Sequence, residues 1–333
     1  MKIYPENAVI MAPLAGYTNL PYRRSCKRHG CFYAFTEMVD IGSLVYSSRN
    51  INIRKFLDRD QDEEWLGVQI IGYKLNEIEK AVEIINKYDF NVLDFNIGCP
   101  TPKVVKKRKG ASLSKNPEHV AKIIELMVKK SRFPVTAKIR IQDITNPEST
   151  IYLAKKIEEA GAHALTIHGR LLSAIYSGPC YANIISAVRE NVKIQVIANG
   201  GVIDKDSYHK LKDASGCSEI MLARGAMGNP WIFEEIRNNK SIVPSAKELA
   251  NEIELHIVET ISYYGENIGC KLCRKLILDY LKGRGFSGEF KSKVVKLSTL
   301  EEIKNFIKEL RKCPIQRYKK WLEKRALQFE FSI

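Results

Sequence analysis

Apolar runs rich in β-branched residues alternate with segments of helical periodicity along residues 1–240, and this alternation constrains the fold more than any other feature. Most of these runs are apolar at successive positions, as expected of parallel strands that are buried on both faces. They predict strands at residues 9–14, 32–39, 65–71, 92–96, 135–141, 164–168, 194–198 and 219–223. The segments between them predict helices at residues 20–28, 75–88, 117–130, 148–160, 181–190, 205–214 and 230–238.

Eight β/α units of this kind predict an α/β protein and, within that class, a (β/α)8 or TIM barrel, for which ~250 residues is typical. A doubly wound open sheet is the alternative, but no Gly-rich dinucleotide fingerprint follows an early strand. In a barrel the active site is built where the strands end. We therefore look for functional residues at the carboxyl ends of the eight predicted strands.

The ends of all eight predicted strands carry chemically informative residues, and the polar and glycine residues among them converge on one face. The residues at these ends are Pro13, Leu14, Ala15 and Gly16, Glu37 and Met38, Gln69, Asn96 and Cys99, Lys138 and Arg140, His168 and Arg170, Asn199, Gly200 and Gly201, and Ala223, Arg224 and Gly225. The glycines after strands seven and eight, with Arg224 beside them, favour a phosphate site, because small residues let backbone N–H groups approach an anion.

Cys99 stands where the fourth predicted strand stops, because Pro100 cannot continue a central strand. A single cysteine is more often a buried structural residue than a reactive one. The position of Cys99 at a strand end, directly before a basic segment, favours a chemical role.

Positive charge is concentrated in two regions. Residues 101–140 hold twelve Lys and Arg against two Asp and Glu, a net charge of +10, and residues 234–333 contribute a further +6. Lysine-rich helix faces exposed to solvent are one explanation, but two separate basic regions favour a nucleic-acid partner. In the first region the candidate RNA contacts are Lys103, Lys106, Lys107, Arg108 and Lys109.

Beyond residue 240 the pattern becomes purely helical. It predicts a barrel domain at residues 1–240 and a small all-helical domain at residues 241–333. The predicted helices of the second domain are residues 246–264, 271–282, 300–312 and 315–328, with a loop rich in Gly and Lys at residues 282–293.

The eight cysteines are irregularly spaced, which argues against a disulfide framework and for a reducing compartment. Cys270 and Cys273 form one CxxC pair, but no second pair follows, so no metal site is expected. The apolar runs are too short for a membrane span, and the first residues lack a secretory signal pattern. We expect a cytoplasmic monomer without a membrane partner.

The motifs at the strand ends resemble those of the tRNA-dihydrouridine synthase family. In the barrel the resemblance covers APLAGYTNLPYR, TEMV, VQIIG, DFNIGCPTPKV, AKIR, LTIHGR, IANGGVI and LARGAMGNPWIF, in the family's order. In the helical part it covers HIVETISYYGE and CRKLILDYLKG. It implies an FMN-binding catalytic barrel and a tRNA-binding helical domain. The implied reaction is reduction of the C5=C6 bond of particular uridines in tRNA, with NADPH re-reducing the flavin.

The resemblance also implies a role for each strand-end residue. Cys99 would be the general acid, since a thiol of ordinary pKa, ~8.5, is mostly protonated at pH 7. Asn96 would help to place the uracil, and Arg140 and Arg170 would join the basic segment in contacting substrate. The cofactor would be held by Pro13, Leu14, Ala15, Gln69, Lys138, His168, Asn199, Gly200, Gly201, Ala223 and Arg224. The chain departs from the family pattern at Leu14, Leu171, Leu172 and Gly201.

Two other functions are compatible with parts of the sequence. One is an FMN barrel oxidoreductase that acts on a small molecule, similar to dihydroorotate or dihydropyrimidine dehydrogenase. The other is a non-catalytic RNA-binding protein. The basic segment argues against the first, because a small substrate does not require it. The joint presence of Cys99, Lys138 and His168 argues against the second.

Overall fold

The computed structural model describes residues 2–47 and 51–313, and its centre is a closed barrel of eight parallel strands in sequential order. This confirms the predicted (β/α)8 architecture. The strands are β1 (Val9–Met11), β2 (Tyr33–Asp40), β3 (Leu66–Ile71), β4 (Val92–Ile97), β5 (Val135–Arg140), β6 (Ala164–His168), β7 (Gln195–Asn199) and β8 (Ile220–Leu222).

The register of the central strands aligns the predicted site residues at the carboxyl end. Asn96 on β4 pairs with Lys138 on β5. Two residues further along β5, Arg140 pairs with His168 on β6, and His168 pairs with Asn199 on β7. Because neighbouring strands are ~5 Å apart, these pairings place five polar side chains at one end of the barrel.

Helices alternate with the strands and continue beyond the barrel. They are α1 (Leu20–Arg28), α2 (Ile41–Tyr46), α3 (Ile51–Arg54), α4 (Leu75–Ile85), α5 (Pro102–Val105), α6 (Pro117–Lys130), α7 (Glu148–Glu159), α8 (Ala182–Asn191), α9 (Lys205–Ser215), α10 (Ile232–Arg237), α11 (Ala246–Tyr264), α12 (Glu266–Leu281), α13 (Gly288–Lys296) and α14 (Leu300–Leu310). Short 3-10 turns occupy Lys55–Leu57, Gly110–Lys115 and Arg224–Ala226.

Local sequence explains where several helices begin. The side chain of Asn19 accepts a hydrogen bond from the Tyr22 amide, and Pro21 occupies the first turn of α1. Asp204 and Ser207 form a capping box at the start of α9, and Gly216 ends that helix in the left-handed conformation.

Helix α2 was not predicted, because its sequence IGSLVY has the apolar, β-branched composition of a strand. It is helical because the Asp40 carboxylate caps the Ser43 amide at 3.2 Å, while Ile41 and Leu44 are buried in the core. The prediction of a loop throughout residues 282–293 is wrong as well. Ser287 caps α13 there, and Val294 anchors the helix in the core. The helix predicted at residues 315–328 lies outside the described residues.

The C-terminal helices pack against the barrel through a buried polar cluster between α1, α11 and α12. Glu252 on α11 accepts a hydrogen bond from Ser25 at 2.7 Å and one from Arg28 at 2.8 Å. Tyr280 on α12 lies 3.0 Å from Ser25 and 3.2 Å from His256 Nδ1. Burial raises the pKa of Glu252, but hydrogen bonds from His29, Arg28 and Ser25 outweigh it and lower the pKa to about 2.

None of the helices in the described ranges combines the length and apolar character that crossing a bilayer requires. Within the same residues, no three His, Cys, Asp or Glu side chains lie close enough together to hold a metal ion. Cys270 and Cys273 are unbonded and buried in the helical part of the chain.

Candidate active site

A cavity of about 370 Å³ opens at the carboxyl end of the barrel, where the sequence predicted the site. In the part of the chain that the structure describes, its lining contains four cationic side chains and no carboxylate. Such a cavity suits an anionic ligand. The predicted site residues that line it are Pro13, Leu14, Ala15, Asn96, Cys99, Lys138, Arg140, His168, Arg170, Asn199, Gly200, Gly201, Ala223 and Arg224.

Lys138 reaches the cavity from β5 and is fixed by a neighbouring strand. Its Nζ donates a hydrogen bond to Asn199 Oδ1 at 2.8 Å, and Asn199 Nδ2 donates to the Met221 carbonyl at 2.7 Å. Burial and the nearby charge of Arg140 lower the pKa of Lys138 to about 7. The side chain can therefore donate hydrogen bonds, and near neutral pH it also exchanges a proton readily.

His168 is a neutral imidazole in this cavity. Burial and the adjacent cations Lys138, Arg140, Arg170 and Arg224 lower its pKa well below the usual value. Arg170 can only donate, so its Nη1, 3.2 Å from His168 Nε2, makes that nitrogen an acceptor and leaves the proton on Nδ1.

Glycines after β7 and β8 allow close packing of the backbone at the cavity wall. Gly200 and Gly201 have φ values of +130° and +77°. A Cβ at Gly200 would come within 2.7 Å of Cys180 Sγ, and one at Gly225 would come within 2.3 Å of the Val202 carbonyl oxygen. The absence of side chains therefore lets this backbone pack closely against its neighbours while Gly200, Gly201 and Gly225 line the cavity.

Cys99 lies at the cavity wall in a loop held from both sides. Asn96 Oδ1 accepts hydrogen bonds from the amides of Gly98 at 3.1 Å and Cys99 at 2.9 Å. The Cys99 carbonyl accepts from the Ala111 amide at 3.0 Å. Gly110, with a φ of +60°, packs so closely that a Cβ there would lie 2.7 Å from the Cys99 carbonyl oxygen. The half-buried thiol contacts Thr101 Oγ1 at 3.4 Å.

Gln69 does not line the cavity but lies one layer below it, fully buried. Its amide nitrogen donates to Asp94 at 2.6 Å, and its amide oxygen accepts from Asn96 at 2.7 Å. Both ends of the Gln69 amide thus bind protein partners. The direct cofactor contact from Gln69 stays a prediction.

The basic segment divides into exposed and anchored residues. Lys103, Lys106, Lys107 and Arg108 are exposed. Lys109 is not, because its Nζ forms an ion pair with Asp40 at 2.6 Å and only 13% of its side chain is accessible. Lys109 thereby ties the loop to β2, and the RNA contact predicted for it stays a prediction.

Arg170 lines the cavity from a buried position, and the substrate contact predicted for it stays a prediction. It is only 1% exposed, and its Nε donates to the Gly178 carbonyl at 2.9 Å. Burial lowers its pKa. Arg170 therefore holds the loop that follows β6 against the cavity wall.

Two tyrosines at the cavity were missed by sequence reasoning. The guanidinium groups of Arg140 and Arg224 lie 5.7 and 5.1 Å from the centre of the Tyr176 ring. Tyr17 donates a hydrogen bond to Asp279 at 2.8 Å, with Lys275 Nζ 3.3 Å above its ring. Both tyrosines lie in loops, and the only sequence signal was an aromatic residue close to a predicted strand end.

Comparison with known proteins identifies the family. Residues 10–317 match the family model described as dihydrouridine synthase. The tRNA-dihydrouridine synthase B of Pasteurella multocida is 36% identical over 283 residues, which cover 84% of this chain and 85% of that protein. A probable tRNA-dihydrouridine synthase of Rickettsia conorii is 35% identical over 294 residues, covering 86% and 88%.

A solved structure of a morphinone reductase variant in complex with tetrahydroNAD is similar in fold. It has a TM-score of 0.51 at 12% identity and covers 70% of this chain and 87% of that chain. The family match spans nearly the whole sequence and includes the barrel strands, the residues that line the cavity and the Cys99 loop. The chain belongs to the dihydrouridine synthase family.

Proposed function

We propose that this protein is a tRNA-dihydrouridine synthase, a flavin-dependent oxidoreductase that reduces the C5=C6 bond of uridines in tRNA. The observation that carries the proposal is the position of Cys99 at the wall of a cationic cavity, in a chain of this family. A thiol at that position can deliver a proton to a base that enters the cavity.

The residues at the cavity fit flavin mononucleotide. Its volume is within the range of ordinary ligand sites, ~300–1,000 Å³. Gly200 and Gly201, which line the cavity together with Arg224, suit the phosphate, and Lys138 and His168 suit the ring system. Pro13, Leu14, Ala15, Asn199 and Ala223 would complete the contacts, with Gln69 below them. When bound, the flavin supplies the hydride for C6 of the uracil.

The protein's own residues supply the proton and the orientation. Cys99 holds the proton for C5 on its Sγ, so one hydride and one proton together saturate the double bond. Arg140 supports the loop from below, because its Nε donates to the Gly98 carbonyl at 2.8 Å. Lys138 and Arg140 can also stabilise negative charge on a carbonyl oxygen of the base.

The exposed basic residues suit a tRNA substrate. A uridine must leave its stack to enter the cavity, which costs a few kcal/mol that backbone contacts can offset. Lys103, Lys106, Lys107 and Arg108 are positioned in the loop that follows Cys99. In this proposal residues 1–240 form the catalytic domain, residues 241–333 bind tRNA, NADPH is the reductant, and the protein acts as a cytoplasmic monomer.

Flavin spectroscopy tests the cofactor and the substrate together. We expect the protein to bind FMN with a yellow absorbance, to be bleached by NADPH without oxygen, and to recover its colour when tRNA lacking dihydrouridine is added. Absence of flavin absorbance after FMN is supplied would overturn the proposal. Recovery with orotate or free uracil, but not with tRNA, would favour the small-molecule oxidoreductase instead.

A further inference from the structure

A chain of buried hydrogen bonds runs from the barrel interior to the Cys99 loop. Thr136 Oγ1 and Gln69 Nε2 each donate to the Asp94 carboxylate at 2.6 Å. Asn96 Nδ2 donates to Gln69 Oε1 at 2.7 Å. Asn96 Oδ1 then accepts from the backbone amides of Gly98 and Cys99. Asp94, Gln69 and Asn96 are each less than a tenth exposed, so water does not replace these partners.

The direction of this chain is set by its two ends. Asp94 as a carboxylate can only accept, and the Gly98 and Cys99 amides can only donate. Burial raises the pKa of Asp94 to about 6, against the hydrogen bonds from Thr136 and Gln69 and the charge of Lys138, so the group is ionised at pH 8. If either amide between the ends were reversed, two donors or two acceptors would face each other.

Within residues 2–47 and 51–313, the partners of Asn96 leave one of its hydrogen-bonding groups unused. Its oxygen accepts two backbone hydrogen bonds, and one of its two N–H groups is given to Gln69. Asn96 also lines the cavity. Whatever it offers to a ligand must therefore be a donor, which suits a carbonyl oxygen of the base.

We propose that Asp94 is a positioning residue that, acting through Gln69, keeps the Asn96 oxygen on the Cys99 loop and leaves an Asn96 N–H for a carbonyl of the pyrimidine. This inference rests on the proposed function. The carbonyl at C4 is adjacent to C5, the carbon that faces Cys99, so it is the oxygen within reach. The Asn96 side chain thus holds the Cys99 loop and also orients the base that receives the proton of Cys99.

Substitutions that reverse the polarity test the inference at pH 8. Asp94→Asn no longer fixes the direction of the chain, because its amide can present either an oxygen or an N–H to Gln69, and the hold on the Cys99 loop weakens. Adding Gln69→Glu places an acceptor at position 69 for both neighbours at unchanged net charge, so the hydrogen bond from Asn96 keeps its direction while the bond between positions 69 and 94 is reversed. Thr136→Val removes one hydrogen bond to Asp94 without changing the direction and is the matched control.

Hydrogen exchange of the Gly98 and Cys99 amides is the first measurement and does not require turnover. We expect Asp94→Asn to accelerate it by about tenfold or more, because two buried donors lose their acceptor. The double variant and Thr136→Val should lie close to wild type. The inference would be overturned if the two amides of Asp94→Asn exchanged at the wild-type rate. It would also be overturned if they exchanged as fast in the double variant as in Asp94→Asn.

Kinetics with tRNA is the second measurement. We expect kcat of Asp94→Asn to fall by about tenfold or more, and kcat of Thr136→Val to stay close to wild type. If Asp94→Asn does not fold, the double variant decides, since a failure of that variant to fold or to protect the two amides refutes the compensation. A wild-type protein that forms no dihydrouridine, while exchange follows the expected pattern, would refute the proposed function and leave the role of Asp94 in the loop intact.

Discussion

Cys99 owes its position to backbone contacts rather than to its own side chain. Asn96 caps the amides on one side, and Gly110 and Ala111 pack against the carbonyl on the other. A substitution of the thiol alone therefore removes its chemistry and leaves the loop in place.

We predict that Cys99→Ala lowers the rate of dihydrouridine formation by about 10²–10⁴-fold, the range that a general acid contributes. Reduction of bound flavin by NADPH should be unchanged, because that step does not use the proton of Cys99. Stopped-flow absorbance for the flavin and mass spectrometry of tRNA nucleosides separate the two steps. Wild-type turnover in the Ala variant would remove Cys99 from its proposed role.

Exposed lysines that follow Cys99 and exposed lysines at the far end of the barrel predict different effects on tRNA binding. In the double variant Lys106→Glu, Lys107→Glu, we expect KM for tRNA to rise by about tenfold and the salt dependence of binding to weaken by about one unit for each phosphate group that the variant no longer binds. The double variant Lys129→Glu, Lys130→Glu is the control with the same change in net charge, because both lysines are exposed at the end of α6 on the opposite face of the barrel. Equal effects of the two changes would show that net charge alone matters.

At the level of helices and strands, the sequence predicted the repeating units because buried strands and amphipathic helices have distinct periodicities. It missed α2 and α13, where capping by Asp40 and Ser287 and burial of a few apolar side chains outweigh composition. It gave no sign of the ion pair of Lys109, because the partner Asp40 lies 69 residues away in the sequence. Contacts of that kind depend on the closed barrel and have no local signal.

The junction between barrel and helical part depends on a glycine. Gly228 has a φ of +66°, and a Cβ there would lie 2.2 Å from the carbonyl carbon of Asp279 on α12. Gly216 has a similar φ of +65°, but a Cβ there meets only the movable guanidinium of Arg189, at 3.0 Å. Alanine substitutions at Gly216 and Gly228 therefore separate the cost of backbone strain from the cost of close packing.

We predict that Gly216→Ala lowers the free energy of unfolding by about 1 kcal/mol through left-handed strain. Gly228→Ala should lose this amount and a further ~1–3 kcal/mol from overpacking. Chemical denaturation of both variants measures the difference. Equal losses would mean that α12 moves away from Gly228 at no cost.

For the whole molecule, the buried cluster at this junction makes stability depend on pH. Burial lowers the pKa of His256 to about 3, despite the opposing charge of Glu252. The unfolded chain binds a proton at this histidine below pH ~6.5 while the folded chain does not, so its contribution to stability falls as pH decreases from 6.5 toward 3. Glu252, with its pKa lowered to about 2, loses its own contribution below pH ~4.5.

We predict that the wild-type protein loses about 2 kcal/mol through His256 between pH 6.5 and pH 4.5. In His256→Gln this part of the pH dependence should disappear, because the new side chain does not titrate. Denaturation of both proteins at the two pH values gives the difference. If the free energy of unfolding changed equally in both proteins between the two pH values, His256 would not contribute to the pH dependence of stability.

Formation of dihydrouridine in tRNA tests the central claim most directly. The protein is expressed in bacteria that lack their own dihydrouridine synthases, and tRNA nucleosides are analysed by mass spectrometry. We predict that the wild-type chain restores dihydrouridine, a nucleoside two hydrogen atoms heavier than uridine, and that Cys99→Ala does not. A folded, flavin-loaded wild-type protein that leaves every uridine unreduced would contradict the proposed function.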